Sequence, residues 1–212
     1  MAMSVKKQTK RQIQAEQTKQ KLICAGIELI KNTRYDDILI TDITDKCGVS
    51  KGTFYLYFDS KDQFFYSICH ADYTDLGMIL VDDSQPLYLE RLRNYCKAWF
   101  ALNKTMSVYY MQHWFSHILD DEFNEKVAGS AQPYAVFKKD VCSCIQKARE
   151  NKEIVEDAPV DYLADYTMIM LYGFDVFSII SRDDASVFGR ADLFADSLID
   201  DVFGRYRVNV SL

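Results

Sequence analysis

Residues 47–58 read CGVSKGTFYLYF, a run that crowds aromatic and hydroxyl side chains around two glycines and one lysine. Gly48 is the residue type that closes a helix, which ends a short one over Ile40–Cys47. Ser50 is a suitable N-cap for the next helix, through Tyr57. On that helix Val49, Phe54 and Phe58 fall at spacings that anchor it to its neighbours, together with Ile43. Ser50, Lys51, Thr53, Tyr55, Leu56 and Tyr57 are left near the exposed side. Gly52 removes bulk from the first turn, so a partner can come close to the backbone. A helix N-terminus carrying hydroxyls, a lysine and tyrosine edges suits phosphate oxygens and base edges.

Outward from this run, nearly every segment has helical period. Glu16–Lys31 places Leu22, Ile23, Gly26, Ile27, Leu29 and Ile30 on one face. Ser60 caps a fourth helix from Lys61 to about Ile79. Short helices joined by tight turns and followed by a longer one make a helix-turn-helix module, whose second helix docks in the major groove. After the acidic break VDDSQP (81–86), Pro86 opens a helix to Leu102. Others follow over Thr105–Leu119, Pro133–Asn151, Pro159–Ile180 and Ala191–Tyr206. No strand-like alternation or internal repeat appears. The expected fold is all-α: an N-terminal three-helix helix-turn-helix domain, then a larger helical bundle.

Composition agrees. Three prolines and eight glycines in 212 residues disfavour a loop-rich all-β fold. No apolar run approaches the roughly 18 residues that cross a bilayer, and the polar start is unlike a signal peptide, so a cytoplasmic protein without membrane partners is expected. The six cysteines (Cys24, Cys47, Cys69, Cys96, Cys142 and Cys144) form no C-x-x-C pair and read as reduced core thiols. The net charge of −6 is uneven. Residues 1–61 hold eleven Lys/Arg against seven Asp/Glu, a charge of +4, which leaves −10 for the remainder. A basic N-terminal quarter on an acidic body suggests that the first part meets a polyanion.

The pattern Ile43-x4-Gly48-Val49-Ser50-Lys51-Gly52-Thr53-Phe54-Tyr55-x-Tyr57-Phe58-x-Ser60-Lys61 resembles the signature of the TetR family of bacterial transcriptional regulators. Thr18, Ala25-Gly26, Leu29 and Tyr35-Asp36 match its first helix and the turn after it. The resemblance implies that Lys51, Gly52 and Thr53 face bases. It also implies that Tyr55, Tyr57 and Lys61 hold phosphates, and that Leu56 touches a thymine methyl. Two positions depart. Leu39 stands where a capping Thr is usual, which removes that cap or moves it to Thr41, and Arg34 stands where a Gly usually ends the first helix. The run KKQTKR (6–11) reads either as a solvated tail or as an arm reaching the minor groove. The domains are then an arm over 1–15, the helix-turn-helix domain over 16–61 and an effector-binding and dimerisation domain over 62–212.

The same resemblance implies a homodimer in which the last two long helices of each subunit form a four-helix bundle. The residues for that face are Tyr162, Tyr166, Met170, Gly173, Phe174, Phe177, Phe194, Leu198 and Val202, with Gly173 permitting close helix approach. It also implies an effector pocket among the middle helices, with Trp99, Phe100, Tyr110, His113, Trp114, Phe137, Met168 and Tyr172 as lining for a hydrophobic or planar ligand. His113 and His117 stand at the spacing of a helical metal pair but lack a convincing third ligand, so no metal is assigned. No cofactor motif or catalytic constellation is visible, and an enzyme is not expected. The expected partners are a double-stranded DNA operator, a small-molecule effector and a second copy of the chain. The expected function is a repressor released from a palindromic operator by a small hydrophobic or aromatic effector. The alternative is a co-regulator of the same fold that acts through a protein partner without binding DNA.

Overall fold

A computed structural model describes residues 9–119, 133–181 and 185–208. The chain divides into two compact units, one ending at Ile68 and the other beginning at Cys69.

In the first unit, α1 (Lys10–Ile30) starts at a reciprocal cap: Thr9 N–H donates to Gln12 Oε1 at 2.8 Å, and Gln12 N–H donates to Thr9 Oγ1 at 3.3 Å. This corrects the arm expected over 1–15. Lys10 and Arg11 belong to the first turn of the helix, and Lys6 and Lys7 lie outside the described residues. A single 3-10 turn (Tyr35–Asp37) leads to α2 (Ile40–Cys47). That helix ends at Gly48, whose left-handed backbone (φ 65°) lets the Val49 N–H return to the Thr44 carbonyl at 3.0 Å. Helix α3 (Lys51–Tyr55) is shorter than expected, because Leu56 and Tyr57 donate to Thr53 and Phe54 in a tighter turn. Helix α4 (Lys61–Leu80) opens with Gln63 N–H donating to Ser60 Oγ at 3.0 Å, the expected cap. Its Phe64 and Phe65 join Phe54 and Phe58 in one buried stack. Phe64 stands 5.2 Å from Phe54, 4.8 Å from Phe58 and 5.0 Å from Phe65, ring centre to ring centre.

The second unit is built from α5 (Tyr88–Thr105), α6 (Val108–Ile118), α7 (Pro133–Glu150), α8 (Val160–Ile180), α9 (Ala185–Gly189) and α10 (Ala191–Ser197). Helix α5 packs against α7, α8 and α10. Its start is fixed from far along the chain: the Glu153 carboxylate accepts from Tyr88 N–H at 2.8 Å and Leu89 N–H at 2.9 Å. Leu87, at the N-cap, has no side chain to do this. The last helix does not run unbroken over 191–206. After α10 the chain widens into a π-turn (Leu198–Val202) and tightens into a 3-10 turn (Phe203–Tyr206). That change aims it at residues 153–155, where Val155 N–H donates to Tyr206 O and Ile154 pairs with Arg207. Arg93 on α5 holds the stretch by gripping Asp196 and Asp200, each at 2.7 Å.

Among the described helices α8 is long and apolar enough to cross a membrane, a length that the sequence reading did not count as one run. Here one face packs inside the unit and carries a buried carboxyl, Asp175. Of the cysteines expected in the core, Cys96 and Cys144 are buried, and burial pushes the Cys144 thiol up to about 12. Cys24 is exposed, because its position on α1 faces away from Leu22 and Ala25.

Candidate functional site

Helix α3 separates anchors from an offered surface. Phe54 and Phe58 are buried, whereas Lys51, Gly52, Tyr55 and Leu56 are exposed, Leu56 at 79%. Thr53 and Tyr57 are half-buried. The Tyr57 ring lies 6.5 Å from Phe58, and the Thr53 hydroxyl is 2.9 Å from Ser50 Oγ. Ser50 Oγ also accepts from Thr53 N–H at 3.1 Å, so Ser50 is occupied as the cap. Thr41 is exposed on the first turn of α2.

Gly52 has a distinct position. Among the described residues, a methyl group built on it would meet only Ser50 Oγ, at 3.6 Å, which is ordinary contact. The fold therefore does not require glycine here, and glycine within a helix costs about 0.5–1 kcal/mol relative to alanine. Gly26 on α1 is the opposite case: its added Cβ would fall 2.5 Å from the buried Phe64 ring. One glycine answers to packing inside the domain, and the other is left for something outside it.

At Leu39 only the reciprocal half of a cap is present: Asp42 Oδ2 accepts from Leu39 N–H at 2.7 Å, while Asp42 N–H donates to the Leu39 carbonyl at 3.1 Å in place of a side-chain oxygen. Lys61 departs from its expected phosphate role. Its ammonium donates to the carbonyls of Tyr35 (2.8 Å) and Ile38 (2.9 Å) and stands 4.0 Å from the centre of the Tyr35 ring. The Tyr35 hydroxyl in turn donates to Asp62, and burial together with that carboxylate holds the phenol well above its usual value. Lys61 thus pins the turn between α1 and α2 onto α4, a role that needs three-dimensional proximity and has no local sequence signal. Two of its three donors are committed inside the domain. Lys61→Ala is expected to lower stability by about 1–3 kcal/mol. It should leave the slope of log affinity against log salt for DNA unchanged, where loss of a true phosphate contact would reduce it by about 0.9.

In the second unit the residues expected around an effector divide into two groups. Trp99, Phe137 and Tyr172 come together, with Trp99 5.6 Å from Phe137 and 5.7 Å from Tyr172. Phe115 and Tyr134 each lie 6.2 Å from Tyr172 and extend the group, although the sequence reading did not select them for the pocket. Tyr110, His113, Trp114 and Met168 are buried, while the His117 side chain lies outside the described ones. Phe100 belongs elsewhere: it stacks 4.3 Å from Phe174, which meets Phe188 and Phe194. Adjacent residues on a helix diverge by about 100°, and Trp99 and Phe100 accordingly meet different rings. Asp175, buried beside Trp99 and Asn103, was also missed, because a single Asp in an apolar helix gives no signal of which way it faces.

The expected dimer face needs a similar correction. Phe174 and Leu198 are buried within the unit, and Val202 and Met170 are half-buried. The expected Tyr162, Tyr166, Gly173, Phe177 and Phe194 are exposed, and Ile169, Val176 and Ile180 on α8 and Leu193 on α10 extend the same stripe. Among the described residues outside its own helix backbone, nothing lies within 4 Å of a Cβ added at Gly173, so no close approach within the unit explains this glycine.

Residues 22–68 match the family described as "Bacterial regulatory proteins, tetR family". Residues 22–68 are thus similar to the DNA-binding domain of that family. An HTH-type transcriptional regulator of Bacillus subtilis (strain 168), YwcC, is 43% identical over 58 residues, 27% of this chain and 26% of the relative. The match therefore spans about a quarter of that relative's length. Among solved structures, regulatory protein TetR from Rhodobacter sphaeroides aligns with a TM-score of 0.61 at 22% identity, over 92% of this chain and 99% of that one. FadR from Bacillus subtilis, solved with stearoyl-CoA, aligns with a TM-score of 0.66 at 15% identity, over 85% and 97%. These two likenesses show the fold: a TetR helix-turn-helix domain followed by an all-helical domain.

Proposed function

We propose that the protein is a homodimeric, ligand-responsive regulator of transcription, a repressor that leaves a palindromic operator when a small hydrophobic or aromatic effector enters the helical body. It works by binding rather than catalysis, in the cytoplasm where its DNA is. The observation that carries the reading is Gly52, an exposed glycine in the first turn of α3 that its own fold does not need, set between Lys51 and Thr53. Close approach of a groove edge to that backbone gives the glycine a reason, with Lys51, Gly52 and Thr53 at bases, Tyr55 and Tyr57 at phosphates and Leu56 at a thymine methyl. Thr41 and the helix N-termini add backbone contacts, and Ser50 contributes as the cap. Helix α4, continuous from Lys61 to Leu80, leads from the first unit into the second, and its displacement by an effector would respace the paired α3 helices. That FadR was solved with stearoyl-CoA supports a ligand-binding role for the helical body. The test is a gel shift with DNA upstream of the protein's own gene: retarded bands competed only by specific DNA support the reading, and equal competition by random DNA overturns it.

The dimer follows from the α8 stripe. Tyr162, Tyr166, Ile169, Gly173, Val176 and Ile180 recur at alternating spacings of four and three residues, the seam that a partner helix covers. Ile169 and Ile180 are 71% and 72% exposed, which is costly for a lone subunit. Ile169→Glu is expected to raise the dimer dissociation constant by roughly 100-fold or more, because each copy would bury an unpaired charge. Sedimentation velocity at micromolar protein should show monomer, and unchanged dimer would refute the face.

A further inference from the structure

Lys19, Leu22 and Gly26 fall at i, i+3 and i+7 on α1, so they lie along one face of the helix. It is the core face: Leu22 and Gly26 are buried, and Gly26 carries the Phe64 ring. Lys19 continues the line where it leaves the core. It is half-buried, with its ammonium 6.0 Å from the centre of the Phe58 ring. A lysine in such a place covers apolar surface with its stem and carries its charge outward.

The fold makes little use of that charge. Lys46 pairs with Glu28 at 2.6 Å, and Lys61 bonds two carbonyls. Among the described residues no carboxylate comes within ion-pair distance of Lys19, Asp59 beside Phe58 included. Partial burial of a charge costs free energy, and about 6 Å is the outer limit of a useful cation–π contact. Tyr57 borders the same ring, its own ring centre 6.5 Å from that of Phe58. Phe58 is itself fixed by Phe54 at 5.4 Å and Phe64 at 4.8 Å. One rigid ring thus has an ammonium and a phenol at its margins, two donors of the kind that phosphate oxygens accept from.

We propose that Lys19 and Tyr57 form one phosphodiester subsite at the edge of the DNA surface, with Phe58 as its support. Lys19 then supplies the cationic contact that Lys61, committed inside the domain, does not. The proposal rests on the DNA-binding reading above and extends the contact surface to α1.

The full chain is titrated against two fluorescein-labelled duplexes, one from upstream of its own gene and one of random sequence, at about 50 to 300 mM salt. Lys19→Met keeps the stem over Phe58 and removes the charge. The slope of log affinity against log salt should become shallower by about 0.9 for each bound subunit, on both duplexes, because a phosphate carries no sequence. Lys19→Gln should do the same, and Lys19→Arg should keep the wild-type slope. Tyr57→Phe should weaken binding a few-fold and leave the slope, since a hydroxyl releases no counterion. Lys31→Met, at the other end of α1, removes an equal charge and should leave the slope unchanged. An unchanged slope in a folded Lys19→Met protein, or an equal change from Lys31→Met, overturns the subsite. Loss of folding in both neutral variants would mark a structural lysine and overturn it as well. The two readings fail separately. Wild-type protein that grips both duplexes equally overturns the sequence-specific regulator and leaves the slope comparison standing. Preference for the upstream duplex with an unchanged Lys19→Met slope overturns only the subsite, and no binding to either duplex overturns both.

Discussion

Phe54→Ala is expected to unfold the N-terminal unit while the rest of the chain stays helical. Phe54 is fully buried and lies at the centre of the aromatic stack, 5.4 Å from Phe58 and 5.2 Å from Phe64. Truncating a core phenylalanine costs about 3–5 kcal/mol, part transfer and part cavity. At about 0.05–0.15 kcal/mol per residue, a unit of this size holds only a few kcal/mol to several more. The stack has little scope to collapse into the hole, because Phe64 is seated directly on the Gly26 backbone. Urea unfolding followed by circular dichroism should split into two transitions, with the first near zero denaturant, and DNA binding should be lost. A single transition at the wild-type midpoint would mean that the stack does not hold the unit together.

Gly52→Glu is expected to do the reverse. Its Cβ would make only ordinary contact with Ser50 Oγ among the described residues, glutamate is a better helix former than glycine, and a negative charge in the first turn favours the helix N-terminus by about 0.3–1 kcal/mol. The melting temperature should hold or rise slightly. On DNA the same carboxylate is pushed toward phosphates, and like charges set together cost several kcal/mol, so affinity should fall roughly 100-fold or more. Thermal unfolding and gel shift on one preparation test both signs. Retained affinity would remove α3 as the reading helix.

Much of this was legible in the sequence because it is local. Gly48 closing α2, Ser50 capping α3, Ser60 capping α4 and the alternation of Phe54 and Phe58 with exposed neighbours depend on spacings of a few residues. What escaped depends on distant chain. Glu153 caps a helix that begins 65 residues before it, and Lys61 bonds the carbonyls of Tyr35 and Ile38 from across the unit. Helix α8 was read correctly as a helix but not by face. Apolar all round, it hides which residues turn inward, so the sequence places Phe174 outward and gives no sign of Ile169. Lys10 and Arg11 were taken for tail because their charges obscured the Thr9–Gln12 cap.

The ordinary packing at Gly52 carries, for the proposed dimer on a two-fold site, a genetic consequence. Variants there should assemble with normal copies as readily as normal copies assemble with each other, and a mixed pair would grip only half of a two-fold site. In a cell making both, most pairs would be spoiled, and the defective allele would be dominant over the intact one. Mutations in the Phe54 stack should act in the same way, because the second unit, which carries the proposed pairing face, stays folded without the first.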